Sequence, residues 1–253
     1  MSWSYRGSLE GRVALVTGGA GGIGATLCRM LAEAGARVIV GYRSSEREAR
    51  ELAAKLPGGP HLAARAPVTD SAALGLCAAA VDEAYGRCDL LVNCAGTTKF
   101  VPHADLDELD DALIDTILTT NVRGAFATVR AFRALLMRNE GALVVNISSI
   151  AGRTAMGSNV MYCASKAALD SLTMSLARAL APHIRVVSVS PGLVDTAFVQ
   201  GLDRRWRDEQ AARSALGRLA TPEEVGLAVL SAAVGLPYST GVIIPVDGGR
   251  PLN

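Results

Sequence analysis

Two residues four apart, Tyr162 and Lys166 in Tyr162-Cys163-Ala164-Ser165-Lys166, could do proton chemistry. In a helix that spacing sets both side chains on one face. An ammonium beside a phenol favours the phenolate, and a phenol so placed is a tunable general acid/base. Ser158, following Gly157, reads as the N-cap that would start such a helix. Upstream, Asn146-Ile147-Ser148-Ser149 closes an apolar run, and a serine hydroxyl at a strand end could orient and polarise a carbonyl. Alone, the Tyr/Lys pair would read equally as an exposed i,i+4 pair on an amphipathic helix.

A second constellation supplies what a proton relay lacks, a place for a cofactor. The run Val13–Val16 leads into Thr17-Gly18-Gly19-Ala20-Gly21-Gly22-Ile23-Gly24 and then an apolar helical stretch to Ala34, with Gly35 as its stop. Glycines there permit positive φ, let the backbone approach a pyrophosphate and aim helix N-terminal N–H groups at its charge. NAD-binding loops place Asp or Glu at the end of the second strand, on the adenosine ribose. This chain has Tyr42 there, followed by Arg43 and Ser44, and a guanidinium suits bidentate contact with phosphate. The expected cofactor is therefore NADP(H), with NAD(H) less favoured. The plainer reading of Arg43 is a solvated loop residue.

The elements that must position these groups are legible as short β-branched runs separated by helical stretches: 12–17, 36–40, 62–66, 89–93, 142–147, 184–190 and 242–246. Several are apolar at nearly every position, as strands buried on both faces require. The predicted fold is α/β, a single doubly wound Rossmann-type domain spanning residues 1–253, with a seven-stranded parallel sheet and helices on both faces. Pro57-Gly58-Gly59-Pro60 reads as a turn, not a domain boundary. A long helical stretch from about Asp107 to Met137 contains Asn121 and Gly124, poor helix-interior residues that imply a kink there.

Half of the 253 residues are hydrophobic and the net charge is +1, so no one-signed field exists to attract nucleic acid or an anionic membrane surface. A small-molecule partner is expected. The N-terminal stretch with Trp3, Tyr5 and Arg6 has no apolar core of signal-peptide length, and a soluble cytoplasmic protein is the expectation. Five scattered cysteines and three separated histidines show no ligand spacing, so reduced thiols and no metal are expected.

Taken together, the motifs resemble those of the classical short-chain dehydrogenase/reductase family, from about residue 8 to residue 250. The turn Thr17-Gly18…Gly22-Ile23-Gly24 is similar to its T-G-x-x-x-G-I-G signature, and Asn93-Cys94-Ala95-Gly96 to its N-N-A-G, with Cys94 in place of the second Asn. Asn121-Val122-Arg123-Gly124-Ala125-Phe126 matches N-V-x-G-x-F, and Val246-Asp247-Gly248-Gly249 matches V-D-G-G. The family's tyrosine follows its catalytic serine by 13 residues, which selects Ser149. The resemblance implies that Ser149 orients the carbonyl, Tyr162 exchanges the proton, Lys166 also binds the nicotinamide ribose, and Asn121 holds a water that links to Lys166. It further implies cofactor contacts at Asn93, Ala95, Gly96, near Val68 (preceded here by Pro67, not the common Asp), and at Pro191, Gly192, Val194 and Thr196. Ile184-Arg185-Val186-Val187 lacks the Asn of the family's I-R-V-N.

The resemblance places a substrate lid at about 197–218, where Arg204, Arg205, Trp206 and Arg207 read either as a solvated helix or as a surface for an acidic or carrier-bound substrate. It implies a homotetramer or homodimer, and an activity like that of 3-oxoacyl carrier protein reductases and other ketoreductases. The alternatives are an NAD-dependent dehydrogenase of a sugar, polyol or steroid-like alcohol, and a non-catalytic cofactor-binding sensor. An extended-family epimerase is disfavoured because no second substrate domain follows.

Overall fold

β-branched and aliphatic side chains stack best on a pleated surface, and the runs read above become strands within a residue or two of their expected ends. The computed structural model describes residues 8–252; Trp3, Tyr5 and Arg6 lie outside the described residues. In chain order the elements begin β1 (Val13–Thr17), α1 (Gly22–Glu33), β2 (Arg37–Tyr42), α2 (Glu46–Lys55), β3 (Leu62–Arg65), α3 (Ser71–Tyr85) and β4 (Leu90–Asn93). They continue with α4 (Asp111–Leu118), a π-turn (Thr119–Arg123), α5 (Gly124–Leu136), β5 (Ala142–Ile147), α6 (Ala151–Thr154) and α7 (Val160–Leu180). The last are β6 (Ile184–Pro191), α8 (Ala197–Gln200), α9 (Arg204–Ala212), α10 (Pro222–Leu230) and β7 (Ile243–Val246).

All seven strands pair in parallel, in the order β3-β2-β1-β4-β5-β6-β7. Along β1, Ala14 and Val16 face a core shared with α1, α2 and α10, whereas Val13 and Leu15 face one shared with α3, α5 and α7. That alternation is why the strand reads as continuously apolar. The order reverses between β1 and β4, and parallel strands open a crevice at their carboxyl ends at such a point.

Between Asp111 and Leu136 the chain is helical, with the expected break. Thr119–Arg123 forms a single π-turn with Asn121 at its centre, the device by which a helix takes in an extra residue and redirects a side chain. The first helix of this stretch starts after Asp110, whose side chain accepts from Leu113 N–H at 2.7 Å, not at Asp107. Both aspartates are chemically fit to cap, and the turn at 107–109 leaves only the second in place. Thr221 and Glu224 cap α10 reciprocally, a full capping box with Pro222 in the first turn. Among the described residues no helix is long and apolar enough to cross a membrane.

Candidate active site

The β1–α1 turn is shaped for a ligand that only backbone can touch. A Cβ at Gly24 would run into the Gly18 carbonyl, so the helix could not start where it does with any other residue there. Gly18 has φ of 66°, and a Cβ on it would stand 3.1 Å from Ala95 Cα in the turn after β4. The same two turns are joined by Thr17, whose Oγ1 accepts from the N–H groups of Cys94 and Ala95, each at 3.1 Å. Gly21 is extended at the start of α1 and supplies no side-chain cap, so the first N–H groups of the helix face outward.

From this turn a cleft of about 610 Å³ runs along the carboxyl ends of the strands to Tyr162. A cavity of that size, floored by a glycine cradle that a Cβ would fill, fits a dinucleotide. Its wall takes Gly18, Gly22, Ile23 and Gly24 from the turn, and Tyr42, Arg43 and Ser44 from the end of β2. Val68, Ala95 and Gly96 come from the next two strand ends, and Pro191, Gly192, Val194 and Thr196 from the end of β6. Gly124 makes room for Val68: a Cβ there would sit 2.7 Å from Val68 Cγ2. Asn93, for which the resemblance implies a cofactor contact, is not on this wall. Its side chain is buried away from the cleft wall, donating to Asn146 Oδ1 at 2.9 Å and to the Ala125 carbonyl at 3.4 Å. Strand alternation turns it under α5, and the cleft is met by its neighbours Cys94 to Gly96.

At the β2 end the Tyr42 phenol is raised above its ordinary range, first by burial and then by Glu46, so it stands there as a neutral hydroxyl. Arg47 pairs with Glu48 and Arg50 with Glu46, whereas Arg43 is exposed and has no ion-pair partner among the described residues. Burial also pushes the Cys94 thiol up to about 12, with the Lys166 charge opposing, so this thiol is protonated and unreactive at neutral pH.

Helix α7 carries the Tyr/Lys pair as expected. Lys166 Nζ lies 5.6 Å from the centre of the Tyr162 ring, and it donates to the Ile147 carbonyl at 2.8 Å. Ile147 ends β5, so one strand end fixes both the ammonium and Ser149 two residues further on. Ser149, Tyr162 and Lys166 share the cleft wall, with Ser148 also there. The Ser149 hydroxyl accepts from Ala151 N–H at 3.2 Å, which leaves its hydrogen free to donate. Asn121 is nearby but not on the wall. Its Oδ1 accepts from Thr97 N–H at 2.8 Å, and its Nδ2 donates to the Thr97 carbonyl at 3.0 Å and to Ser165 Oγ at 3.1 Å. Bare Gly96 lies between the two groups, since a Cβ on it would be 3.4 Å from Asn121 Oδ1 and 3.8 Å from Lys166 Nζ.

The N-cap of α7 is Asn159, not Ser158: the Asn159 Oδ1 accepts from Tyr162 N–H at 2.6 Å. Ser158 instead bonds Thr98 hydroxyl to hydroxyl at 2.5 Å. Either residue type can cap, and only the extended backbone at Asn159 decides between them.

The short chain dehydrogenase family matches residues 12–206. The chain is a short-chain dehydrogenase. It is 39% identical over 245 residues to a protein named for ketoacyl reduction in the granaticin polyketide synthase of Streptomyces violaceoruber, covering 96% of this chain and 97% of that one. It is also 39% identical, over 94% of its own length and 96% of the other's, to cis-4-hydroxycyclohexanecarboxylate dehydrogenase of Sinomonas cyclohexanicum. Among solved structures, a short-chain dehydrogenase/reductase from Serratia marcescens superposes with a TM-score of 0.88 at 33% identity, over 96% of this chain and 98% of that one. The short-chain dehydrogenase fold is thus that of an oxidoreductase working between carbonyl and alcohol groups with a nicotinamide cofactor. Among the described residues no group of three or more His, Cys, Asp or Glu side chains could hold a metal ion.

Proposed function

We propose that this short-chain dehydrogenase is an NADP(H)-dependent oxidoreductase of a keto or secondary hydroxyl group, with Tyr162 as its general acid/base. The observation that carries this is the convergence of Tyr162, Lys166 and Ser149 on one wall of the cleft whose other end is the glycine turn. When bound, the nicotinamide cofactor supplies or accepts the hydride. In the reducing direction the Ser149 hydroxyl donates to the substrate carbonyl and fixes its orientation. Tyr162 gives its proton to the developing alkoxide oxygen. Lys166, held by the Ile147 carbonyl, favours the phenolate left behind and offers its remaining N–H donors to the nicotinamide ribose. Asn121 holds the loop after β4 at Thr97, beside Lys166, and so shapes the place for a water that returns the proton. Each step reverses for alcohol oxidation.

NADP(H) is preferred because Tyr42 stands at the end of β2 in place of an Asp or Glu, and the unpaired Arg43 meets the cleft beside it. Segment 197–218 is the lid over the substrate. Its α9 is tied to the β6 end by Arg207 and Asp195 at 2.7 Å. Arg204 and Arg205 pair with Asp208 and Glu209 one turn on, which favours a solvated outer face over a carrier-binding one. The free cysteines fit a reducing cytoplasm. Exposed Leu236, Tyr238 and Leu252 give apolar surface to the homotetramer or homodimer that the family implies.

The test is comparative binding of NADPH and NADH by fluorescence titration. NADPH binds more tightly to the native protein, and Arg43→Asp reverses the order; tighter NADH binding by the native protein would remove the cofactor assignment.

A further inference from the structure

Tyr162 sits in the first turn of α7, the part of a helix that frays most easily. Lys166 is one turn deeper and anchored to β5. The spacing between them therefore depends on whatever locks that first turn. Asn159 is 1% exposed, and its side-chain amide makes three hydrogen bonds, with both N–H donors used. Its oxygen accepts from Tyr162 N–H at 2.6 Å, and its nitrogen donates to the Lys99 carbonyl at 2.8 Å and to Thr98 Oγ1 at 3.2 Å. The loop it grips is the one that Asn121 holds at Thr97. Two buried asparagines thus clamp one loop between the π-turn and the start of α7. Two further contacts zip the same segments: Val101 N–H donates to the Ser158 carbonyl at 2.8 Å, and His103 Nε2 meets the Gly157 carbonyl at 3.1 Å.

We infer that Asn159 is a positioning residue of the reaction, holding the Tyr162 phenol at its working distance from Lys166 by locking the first turn of α7 onto the Thr97–Lys99 loop. The inference rests on the acid/base role proposed for Tyr162. A simple cap would need only the oxygen; the two nitrogen bonds to the cleft-side loop are what make the residue more than that. Misplacing a proton-transfer group by about 1 Å can lower turnover by about 10²-fold.

The test compares four variants for reduction of a panel of cyclic ketones and β-keto esters, with NADPH binding and thermal stability measured on the same preparations. Asn159→Ala lowers kcat by about 10²-fold and leaves the NADPH dissociation constant unmoved. Asn159→Ser, which keeps an oxygen acceptor, recovers part of the lost turnover. Thr221→Ala removes the cap of the remote α10 and gives the stability loss without the fall in kcat. The inference is overturned if Asn159→Ala costs no more turnover than Thr221→Ala, or if its loss lies in NADPH binding and not in kcat. Tyr162→Phe is the fourth variant. Turnover retained there, or a native protein that reduces none of the panel, overturns both the parent reading and this one, whereas lost turnover there with an unmoved Asn159→Ala overturns this one alone.

Discussion

Lys166 Nζ stands 5.6 Å from the centre of the Tyr162 ring while donating to the carbonyl of Ile147. The ammonium is thereby tied to the sheet, and the phenol to the first turn of α7, so that the distance across the proposed proton relay depends on how α7 packs on β5 and on what locks that turn. That packing is also what places Ser149 on the same wall of the cleft.

The glycine cradle is the first place to test this geometry. Gly24→Ala puts a methyl against the Gly18 carbonyl and must open the turn. NADPH affinity falls at least tenfold, about 1.4 kcal/mol, by fluorescence titration. Unaltered affinity would show that the cofactor does not rest there.

Asn121, proposed for the site, also holds the fold. Asn121→Ala removes the partners of the Thr97 N–H and carbonyl, bonded at 2.8 and 3.0 Å in a part-buried setting, and a bond to the buried Ser165 hydroxyl. Urea denaturation shows a loss of about 2 kcal/mol, the cost of partly buried groups left without partners. A loss within ~0.5 kcal/mol, as for an ordinary surface change, would contradict this.

Glu224 is one contributor to acid stability. The Glu224 carboxyl is pulled down to about 2 by Arg218 and by the Thr221 N–H. A carboxylate whose pKa is lower in the folded state adds stability above its unfolded value near 4.5, and that stability is lost as pH falls toward 2. The side chain is about a third exposed, and solvent screening reduces the contribution to about 1 kcal/mol. Glu224→Gln therefore lowers Tm at pH 7, and the difference from native closes as pH approaches 2. An equal difference at both pH values would contradict the assignment.

Much of this was legible in the sequence because the residues involved leave no second option. Strands buried on both faces must be apolar throughout, which exposed β1 and β5, and a glycine at position 24 is demanded by the Gly18 carbonyl. The break at Asn121 was visible because Asn and Gly are poor helix formers, although its π geometry was not. What stayed hidden were choices between chemically equal neighbours. Ser158 and Asn159 can each cap α7, as Asp107 and Asp110 can each cap α4, and only backbone conformation selects. Asn93 was placed at the cofactor by its motif, yet the two-residue period of the strand turns its side chain toward Asn146. Thr17 gave no signal of its role in joining two turns, since that contact spans 77 residues.

The most direct measurement is steady-state reduction of a carbonyl panel by Tyr162→Phe, alongside NADPH titration of the same protein. Loss of the phenolic hydroxyl leaves the fold and NADPH affinity intact and lowers kcat by about 10²- to 10⁴-fold. Turnover within a few-fold of native, with NADPH still bound, would show that Tyr162 is not the acid/base of this enzyme.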